Sequence, residues 1–163
     1  MCLKFFKLVT TLFCCLCFSA NTLADDQTWY FVRHFEKMSG ANPGLTEQGL
    51  QRAQNLAHYF AHIPLTVVYS SDYHRTRQTA QAVAAELSLK VEIYQPAQLA
   101  ELAQELKLTS NVLVVGHSNT TVELVTLMGG KATSIGESDY GQLFIVHSKN
   151  AEIETDIQTI PLN

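Results

Sequence analysis

The sequence predicts an α/β fold, a three-layer sandwich in which helices flank a mostly parallel central sheet. Three short apolar segments, Thr28–Arg33, Thr66–Ser70 and Asn111–Gly116, predict strands. Their continuous apolar character is typical of strands that are covered on both faces, as in a parallel sheet. Segments with helical periodicity separate them, and this alternation is the order of an α/β protein.

The segment after the first predicted strand has the start and the spacing of an amphipathic helix. Thr46 is a suitable N-cap, because its hydroxyl can accept a hydrogen bond from the first turn, and the helix is predicted to reach about Ala61. Apolar residues at helical spacing predict one buried stripe, formed by Leu50, Ala53, Ala57 and Phe60.

The remaining elements continue the alternation. A second helix is predicted over His74–Leu87, and its buried stripe consists of Ala80, Val83, Ala84 and Leu87. The other predicted helices are Ala97–Leu108 and Thr120–Met128, and the other predicted strands are Lys90–Tyr94, Leu143–His147 and Glu152–Gln158. We expect the last two strands to be antiparallel at one edge of the sheet.

The first 24 residues have the order of a secretory signal peptide. A basic stretch, Met1–Lys7, precedes a short apolar run, Leu8–Phe18, and small residues end the segment at Thr22-Leu23-Ala24. The alternative is a membrane anchor, but a spanning helix needs about 20 apolar residues. We therefore expect cleavage after Ala24, a single domain over residues 25–163, and export to a bacterial periplasm.

Removal of this segment would change the composition of the chain. All four cysteines lie within it, among them Cys14, Cys15 and Cys17, which leave a lipoprotein signal open as an alternative. The mature chain would hold no disulfide, no cysteine nucleophile and no thiolate metal site. Two lysines would also leave, so nine basic residues would stand against 15 acidic ones and the formal net charge would move from −4 to −6. Such a chain is poorly suited to nucleic acid or anionic lipid, and an anion that it binds needs a local cluster of positive residues.

Polar residues follow three of the predicted strands. The first strand ends in Arg33-His34, the second in Ser70-Ser71-Asp72 with Arg75 in the next helical turn, and the third in Gly116-His117-Ser118. In open α/β sheets, ligands bind outside the carboxyl ends of the strands. If these strands are parallel neighbours, two arginines and two histidines meet at one edge of the sheet.

Such a cluster favours phosphoryl chemistry. Two arginines that face one pocket suit an oxyanion, because the guanidinium fork pairs with its oxygens bidentately. A neutral imidazole can attack phosphorus and carry the phosphoryl group until water removes it. A second histidine would stabilise the charge on the transferring group. Since the arginines neutralise that charge, the scheme requires no metal and no cofactor.

Four segments resemble the signature segments of a known family. They are Val32-Arg33-His34-Phe35-Glu36-Lys37, Leu45-Thr46-Glu47-Gln48-Gly49, the run YSSDYHRTRQTA from Tyr69 to Ala80, and Val114-Val115-Gly116-His117-Ser118-Asn119-Thr120. The family is the histidine phosphatase superfamily, which includes phosphoglycerate mutases and small phosphohistidine phosphatases. The resemblance runs from Trp29 to about Phe144 and implies a phosphoglycerate mutase-like fold.

The resemblance also implies roles for individual residues. His34 would be the phosphorylated nucleophile, and Arg33, Arg75 and His117 would form the phosphate pocket. Phe35 stands where the family often has glycine, which would narrow the entrance.

Three further residues are candidates for the rest of the site. The family often takes its proton donor from an acid between the second and third strand-end motifs, and Glu101 is our candidate there, with a solvent-facing helical position as the alternative. Lys37 and Asn42 lie on the loop after His34 and are candidates to contact the substrate beyond its phosphate, with a solvated position as the alternative for both.

Three rival interpretations remain. Ser118 lies between a strand and a helix, as the nucleophile of a serine hydrolase would, and Asp139 and His147 follow it in the order of that fold. His34-Phe35-Glu36 has the H-x-E spacing of zinc deaminases, whose cysteines are absent after signal cleavage. The third interpretation is a protein that binds a phosphorylated ligand without chemistry.

Within the family we expect a phosphatase rather than a mutase. A mutase must shield its phosphorylated histidine from water, usually beneath a lid, and this chain shows no insertion for a large one. We expect small phosphomonoesters as substrates. Phosphohistidine and the phosphorylated sugars of envelope polymers are the alternatives.

Overall fold

The computed structural model describes residues 26–162, so the predicted signal peptide lies outside the described residues. Within these residues there are six strands, and they are β1 Gln27–Arg33, β2 Val67–Ser71, β3 Val91–Tyr94, β4 Val112–Gly116, β5 Gln142–Lys149 and β6 Glu152–Thr159. Four helices connect them, and they are α1 Glu47–Phe60, α2 His74–Glu86, α3 Leu99–Leu106 and α4 Ser118–Leu127.

The strands form one sheet in the order β3-β2-β4-β1-β5-β6. Strands β3, β2, β4 and β1 are parallel neighbours, whereas β5 is antiparallel to β1 and β6 is antiparallel to β5. This mixed sheet between helical layers confirms the predicted α/β fold of the phosphoglycerate mutase type.

Both faces of the sheet are covered. Val32 of β1 and Leu113 of β4 pack with α1 and α2 in one core, whereas Phe31 and Val114, their chain neighbours, pack with α3 and α4 in the other. Successive side chains of a strand point to opposite faces. The central strands therefore need apolar residues at every position, which is the pattern seen in the sequence.

The first helix confirms its predicted start and corrects its predicted buried face. Thr46 Oγ1 accepts a hydrogen bond from Gly49 N at 3.1 Å, as an N-cap does. Leu50 is 46% exposed, so its assignment to the buried stripe was wrong. The stripe instead includes Leu56 and the charged residue Arg52, because α1 is rotated so that position 52 faces the first core.

Two smaller differences concern the other helices. Leu87 follows the end of α2 and is only half-buried. The last helix begins at Ser118, two residues earlier than predicted, because the Thr120 hydroxyl accepts a hydrogen bond from His117 N at 2.8 Å and closes the first turn. Within residues 26–162, no helix is long and apolar enough to cross a membrane.

Candidate active site

The carboxyl ends of β1, β4 and β2 are level, which brings their polar residues together. Val115 of β4 pairs with Val32 on one side and with Ser70 on the other. The next residue of β1 continues this level edge, since His34 N donates to Gly116 O at 2.9 Å. A pocket of about 340 Å³ opens at this edge. It is lined by Arg33, His34, Lys37, Tyr73, Arg75, Pro96, His117, Ser118, Asn119, Thr120 and Glu137.

His34 lies at the base of the pocket and is held in one tautomer. It is 3% exposed, and its Nδ1 lies 2.8 Å from the carbonyl oxygen of Phe35. A carbonyl can only accept, so Nδ1 carries the hydrogen and Nε2 keeps its lone pair. Burial, with smaller contributions from the charges of Arg33 and Arg75, lowers the pKa of His34 to about 3 against the opposing hydrogen bond to Phe35. The imidazole is therefore neutral at neutral pH.

His117 lies beside His34 and is also neutral. The two ring centroids are 5.5 Å apart. Burial lowers the pKa of His117 to about 4, with smaller contributions from Arg75 and Arg33. Its Nδ1 lies 3.4 Å from Nη2 of Arg75, and its Nε2 lies 3.0 Å from Oγ of Ser71.

A chain of hydroxyl groups sets the orientation of His117. Thr76 Oγ1 donates to the carbonyl oxygens of Ser71 and Tyr73 at 2.8 and 3.0 Å. Ser71 Oγ donates to Thr76 Oγ1 at 3.0 Å, so the serine oxygen is free to accept from His117. In this arrangement Nε2 of His117 carries the hydrogen and Nδ1 faces Arg75.

The guanidinium of Arg33 is clamped by the loop between α4 and β5. Its Nη1 donates to the carbonyl oxygens of Gly136 and Asp139 at 2.6 and 3.1 Å, and its Cζ lies 4.4 Å from the centroid of the Tyr140 ring. Arg33 is 4% exposed. A buried arginine held on one edge in this way presents its other nitrogens in a fixed direction.

Each arginine keeps one buried donor without a partner. Nε of Arg33 and Nε of Arg75 make no hydrogen bond within the described part of the chain. Arg75 is placed against Tyr73, whose ring centroid lies 4.7 Å from its Cζ. Both arginines line the pocket, and two guanidinium groups at one pocket indicate a site for an anionic acceptor.

The loop after His34 sends one of its two candidate residues to the pocket. Lys37 lines it and forms an isolated backbone bridge with Leu45. Asn42 does not; its Oδ1 accepts from His74 N at 3.2 Å and it lines a separate pocket beside α2. Asn42 therefore supports the start of that helix, and its predicted contact with substrate is not supported by the structure.

Glu101 is not brought to His34 either. It is exposed on α3 and lines a different groove, beside Tyr94. The buried residues of α3, Leu99 and Leu102, face the sheet, which turns Glu101 away from the core. From the segment between the second and third strand-end motifs, only Pro96 lines the pocket of His34.

The serine hydrolase triad is not assembled. His147 pairs in the sheet with Thr28, at the amino end of β1, whereas Ser118 follows β4 at the opposite end. Five residues of strand separate Thr28 from Arg33, which is roughly 17 Å. Asp139 Oδ2 accepts from Gly136 N within its own loop. That rival interpretation was therefore wrong.

The structure does not support the zinc interpretation of His34-Phe35-Glu36 either. The Glu36 carboxylate is engaged by Arg52, whose Nη2 lies 2.6 Å from Oε1. Across residues 26–162, no three His, Cys, Asp or Glu side chains come close enough to hold a metal ion.

Four residues of the site were missed in the sequence. Ser71 and Tyr73 lie in the run from Tyr69 to Ala80 that resembles the family. Their place near the site could therefore be predicted from the sequence, but their contacts could not. Glu137 and Tyr140 follow no strand, and their contacts with Arg33 depend on how the α4–β5 loop folds back over β1. No local pattern marks such residues.

Comparison with known proteins supports the recognised resemblance. Residues 29–105 match the family model of the histidine phosphatase superfamily (branch 1). Over this segment the chain is similar to that superfamily. The matched region includes His34 and Arg75, and the recognised resemblance is confirmed. A search of curated protein sequences finds no significant match.

Several solved structures of phosphatases share the fold. The native structure of a mycobacterial glucosyl-3-phosphoglycerate phosphatase has a TM-score of 0.64 and 13% identity, over 85% of this chain and 100% of that one. The protein histidine phosphatase SixA complexed with tungstate has a TM-score of 0.64 and 18% identity, over 82% and 97%. A phosphoserine phosphatase from Entamoeba histolytica has a TM-score of 0.58 and 14% identity, over 82% and 97%.

Proposed function

We propose that this protein is a phosphatase that hydrolyses phosphomonoesters through a covalent phosphohistidine at His34. The observation that carries the proposal is the contact of His34 Nδ1 with the Phe35 carbonyl oxygen at 2.8 Å. It leaves Nε2 as an unprotonated nucleophile at the base of a pocket that holds two arginines.

The remaining groups stabilise the transferring phosphoryl group. The guanidinium groups of Arg33 and Arg75, which line the pocket, donate to its oxygens. His117 lies 3.4 Å from Arg75 and beside His34, so it orients both groups toward the phosphoryl group. The N-terminus of α4, which begins at Ser118, adds backbone N–H groups at the pocket wall. The protein supplies this charge from its own side chains, so the proposed reaction is metal-independent.

The pocket favours small substrates. Its volume of about 340 Å³ suits a phosphoryl group with a small leaving group, and Lys37 lies where it can contact that group. Similar folds occur in proteins named for glucosyl-3-phosphoglycerate, protein histidine and phosphoserine, so the fold is compatible with varied leaving groups. We propose slow, broad activity on small monoesters, with phosphohistidine or envelope phosphosugars as the alternative.

We also propose that residues 1–24 export the chain to the periplasm. The basic, apolar and small-residue order of the segment supports this, and export would separate the protein from cytoplasmic phosphohistidine relays. N-terminal sequencing of the protein from fractionated cells tests it. A chain recovered in the cytoplasm with residues 1–24 intact would refute the proposal.

The mechanism is tested by trapping the intermediate. The protein is incubated with an aryl phosphate labelled in its phosphoryl group, quenched in alkali and digested, and the label is mapped. We expect an acid-labile phosphoryl group on His34, full turnover in the presence of a chelator, and loss of both label and turnover in His34→Ala. His147→Ala is the matched control, since His147 lies at the far end of the sheet. Label on another residue, or turnover in His34→Ala, contradicts the mechanism.

A further inference from the structure

The pocket of His34 has an acidic residue on the α4–β5 loop, where the sequence predicted no proton donor. Glu101 lies in a different groove, and the segment that precedes it contributes Pro96 to the pocket. Proline has no proton to give. Among the residues that line the pocket of His34, within the described chain, the carboxylate belongs to Glu137 on the α4–β5 loop.

The backbone around Glu137 is held by hydrogen bonds, whereas its side chain is exposed to solvent. Gly136 and Asp139, on either side of it, accept hydrogen bonds from Nη1 of the buried Arg33, and the Asp139 side chain accepts from Gly136 N at 2.9 Å. The Glu137 side chain is 92% exposed, and its Oε2 lies 3.6 Å from Nη2 of Arg33. The Glu137 carboxylate thus lies at the mouth of the pocket on a loop of fixed backbone, within reach of the side of Arg33 that would bind phosphate.

The mouth is the side on which a leaving group must depart. In phosphoryl transfer the nucleophile and the leaving oxygen lie roughly in line, on opposite sides of phosphorus. His34 is 3% exposed and lies at the base, so a phosphoryl group on the arginines receives attack from the base. The leaving oxygen then points to the solvent-exposed mouth, where Glu137 stands.

We propose that Glu137 is the proton donor to the leaving group and the proton acceptor for the attacking water. The proposal rests on the proposed function. In the first step Nε2 of His34 bonds to phosphorus, the bond to the leaving oxygen breaks, and that oxygen takes the proton of the Glu137 carboxyl group. In the second step water attacks phosphorus and passes a proton to the Glu137 carboxylate, and the P–N bond returns its electron pair to Nε2.

His117, Asp72 and the two arginines are less suited to this role. His117 directs its Nε2 hydrogen to Ser71 and turns Nδ1 toward Arg75, so neither ring nitrogen is placed to give a proton to the leaving group. The two arginines do not lose protons in proteins. Asp72, which follows β2, is paired with Arg77 at 2.9 Å and lines a different pocket.

The test is the dependence of rate on the leaving group. Glu137→Gln keeps size and polarity but removes the proton, and Glu101→Gln is the matched control, an exposed glutamate outside the pocket. We measure kcat/KM, which reports the step up to phosphorylation of His34, for aryl phosphates with acidic phenols and for alkyl phosphates. For Glu137→Gln we expect a loss of about 100-fold or more on alkyl phosphates, which need a proton, and of only a few-fold on the aryl esters. Glu101→Gln should match the parent on both.

Two results would overturn the proposal. One is an equal change on aryl and alkyl phosphates, including no change at all. The other is tighter binding of inorganic phosphate to Glu137→Gln without a steeper leaving-group dependence, which would make Glu137 a competitor for Arg33 rather than an acid. Failure of the proposed function is separate, because it would appear as turnover without label on His34 in the parent protein.

Discussion

Arg52 of α1 binds the carboxylate of Glu36, the second residue after His34. Its Nη2 lies 2.6 Å from Oε1 and its Nε lies 3.1 and 3.2 Å from the two carboxylate oxygens. Its Nη1 donates to the Ile160 carbonyl oxygen at 2.6 Å. A largely buried arginine therefore ties the segment that follows His34 to α1 and to the end of β6.

Breaking this pair should destabilise the protein. In Arg52→Met the Glu36 carboxylate loses its partner in a largely buried position, and such a loss costs about 3 to 5 kcal/mol. Urea unfolding of the variant measures it. The matched control is Arg77→Met, because the Arg77–Asp72 pair is more than half exposed on both sides and should be worth less than about 1 kcal/mol. Equal losses of unfolding free energy in the two variants would show that burial does not make the Arg52–Glu36 pair more stabilising.

Gly49 is a position where a better helix former should be worse. Alanine normally stabilises a helix by roughly 0.5 to 1 kcal/mol relative to glycine. A Cβ at position 49, however, would lie closer to the Glu36 carbonyl oxygen than van der Waals contact allows. That oxygen also accepts from Thr46 N at 2.8 Å, so it has little freedom to move. We expect Gly49→Ala to lower both stability and activity.

Thermal unfolding and aryl phosphatase assays check this prediction. Gln54→Ala is the control, since Gln54 is exposed on the same helix and the change should be neutral or slightly stabilising. A Gly49→Ala variant as stable and active as the parent would mean that α1 can shift away from Glu36 at little cost.

Ser71 should affect catalysis through His117. Its oxygen accepts the Nε2 hydrogen of that histidine, so Ser71→Ala frees the imidazole to rotate and leaves Nε2 unpaired. A hydrogen bond between two neutral groups is worth about 0.5 to 1.5 kcal/mol, so we expect kcat to fall roughly 2- to 10-fold. Ser70→Ala is the matched control, because Ser70 is equally buried but donates only to the Ser71 carbonyl oxygen. If both variants lose the same activity, the effect is on packing and not on His117.

The acidic limb of the pH–activity profile should lie at lower pH than an ordinary histidine would give. The proposed nucleophile must be neutral, and burial lowers the pKa of His34 from 6.5 to about 3, so the neutral form persists as the pH falls through the ordinary histidine range. We expect kcat/KM for an aryl phosphate, corrected for ionisation of the substrate, to show no loss assignable to His34 between pH 7 and pH 5. A limb with a midpoint near 6.5 would show instead that His34 titrates as an exposed histidine.

The same shift has a consequence for stability. Because the folded pKa of His34 lies below the unfolded value, the unfolded chain binds more protons between the two values, and stability falls as the pH drops from about 6.5 toward 3. The contribution is fully present above pH 6.5. His34→Asn removes the titrating group, so its urea midpoint should decline less than that of the parent between pH 7 and pH 4.5. Parallel declines would contradict the assignment.

The sequence by itself determined the layered fold and the four residues at the base of the site. Strands that face two cores must be apolar at every position, so β1, β2 and β4 could be recognised one by one. Strand ends that meet at one edge of a parallel sheet place Arg33, His34, Arg75 and His117 together whatever the details of packing. Thr46 could be recognised as a cap because a cap is a local interaction.

Only the tertiary structure decided what surrounds those four residues. The rotation of α1 exposes Leu50 and buries Arg52. It depends on the ion pair between Arg52 and Glu36, which the helical periodicity of α1 does not reveal. Glu101 and Glu137 look alike in the sequence. One lies on a helix whose apolar side faces the sheet, and the other on a loop that Arg33 holds by its backbone. The difference comes from contacts between residues about a hundred positions apart, and local sequence carries no record of them.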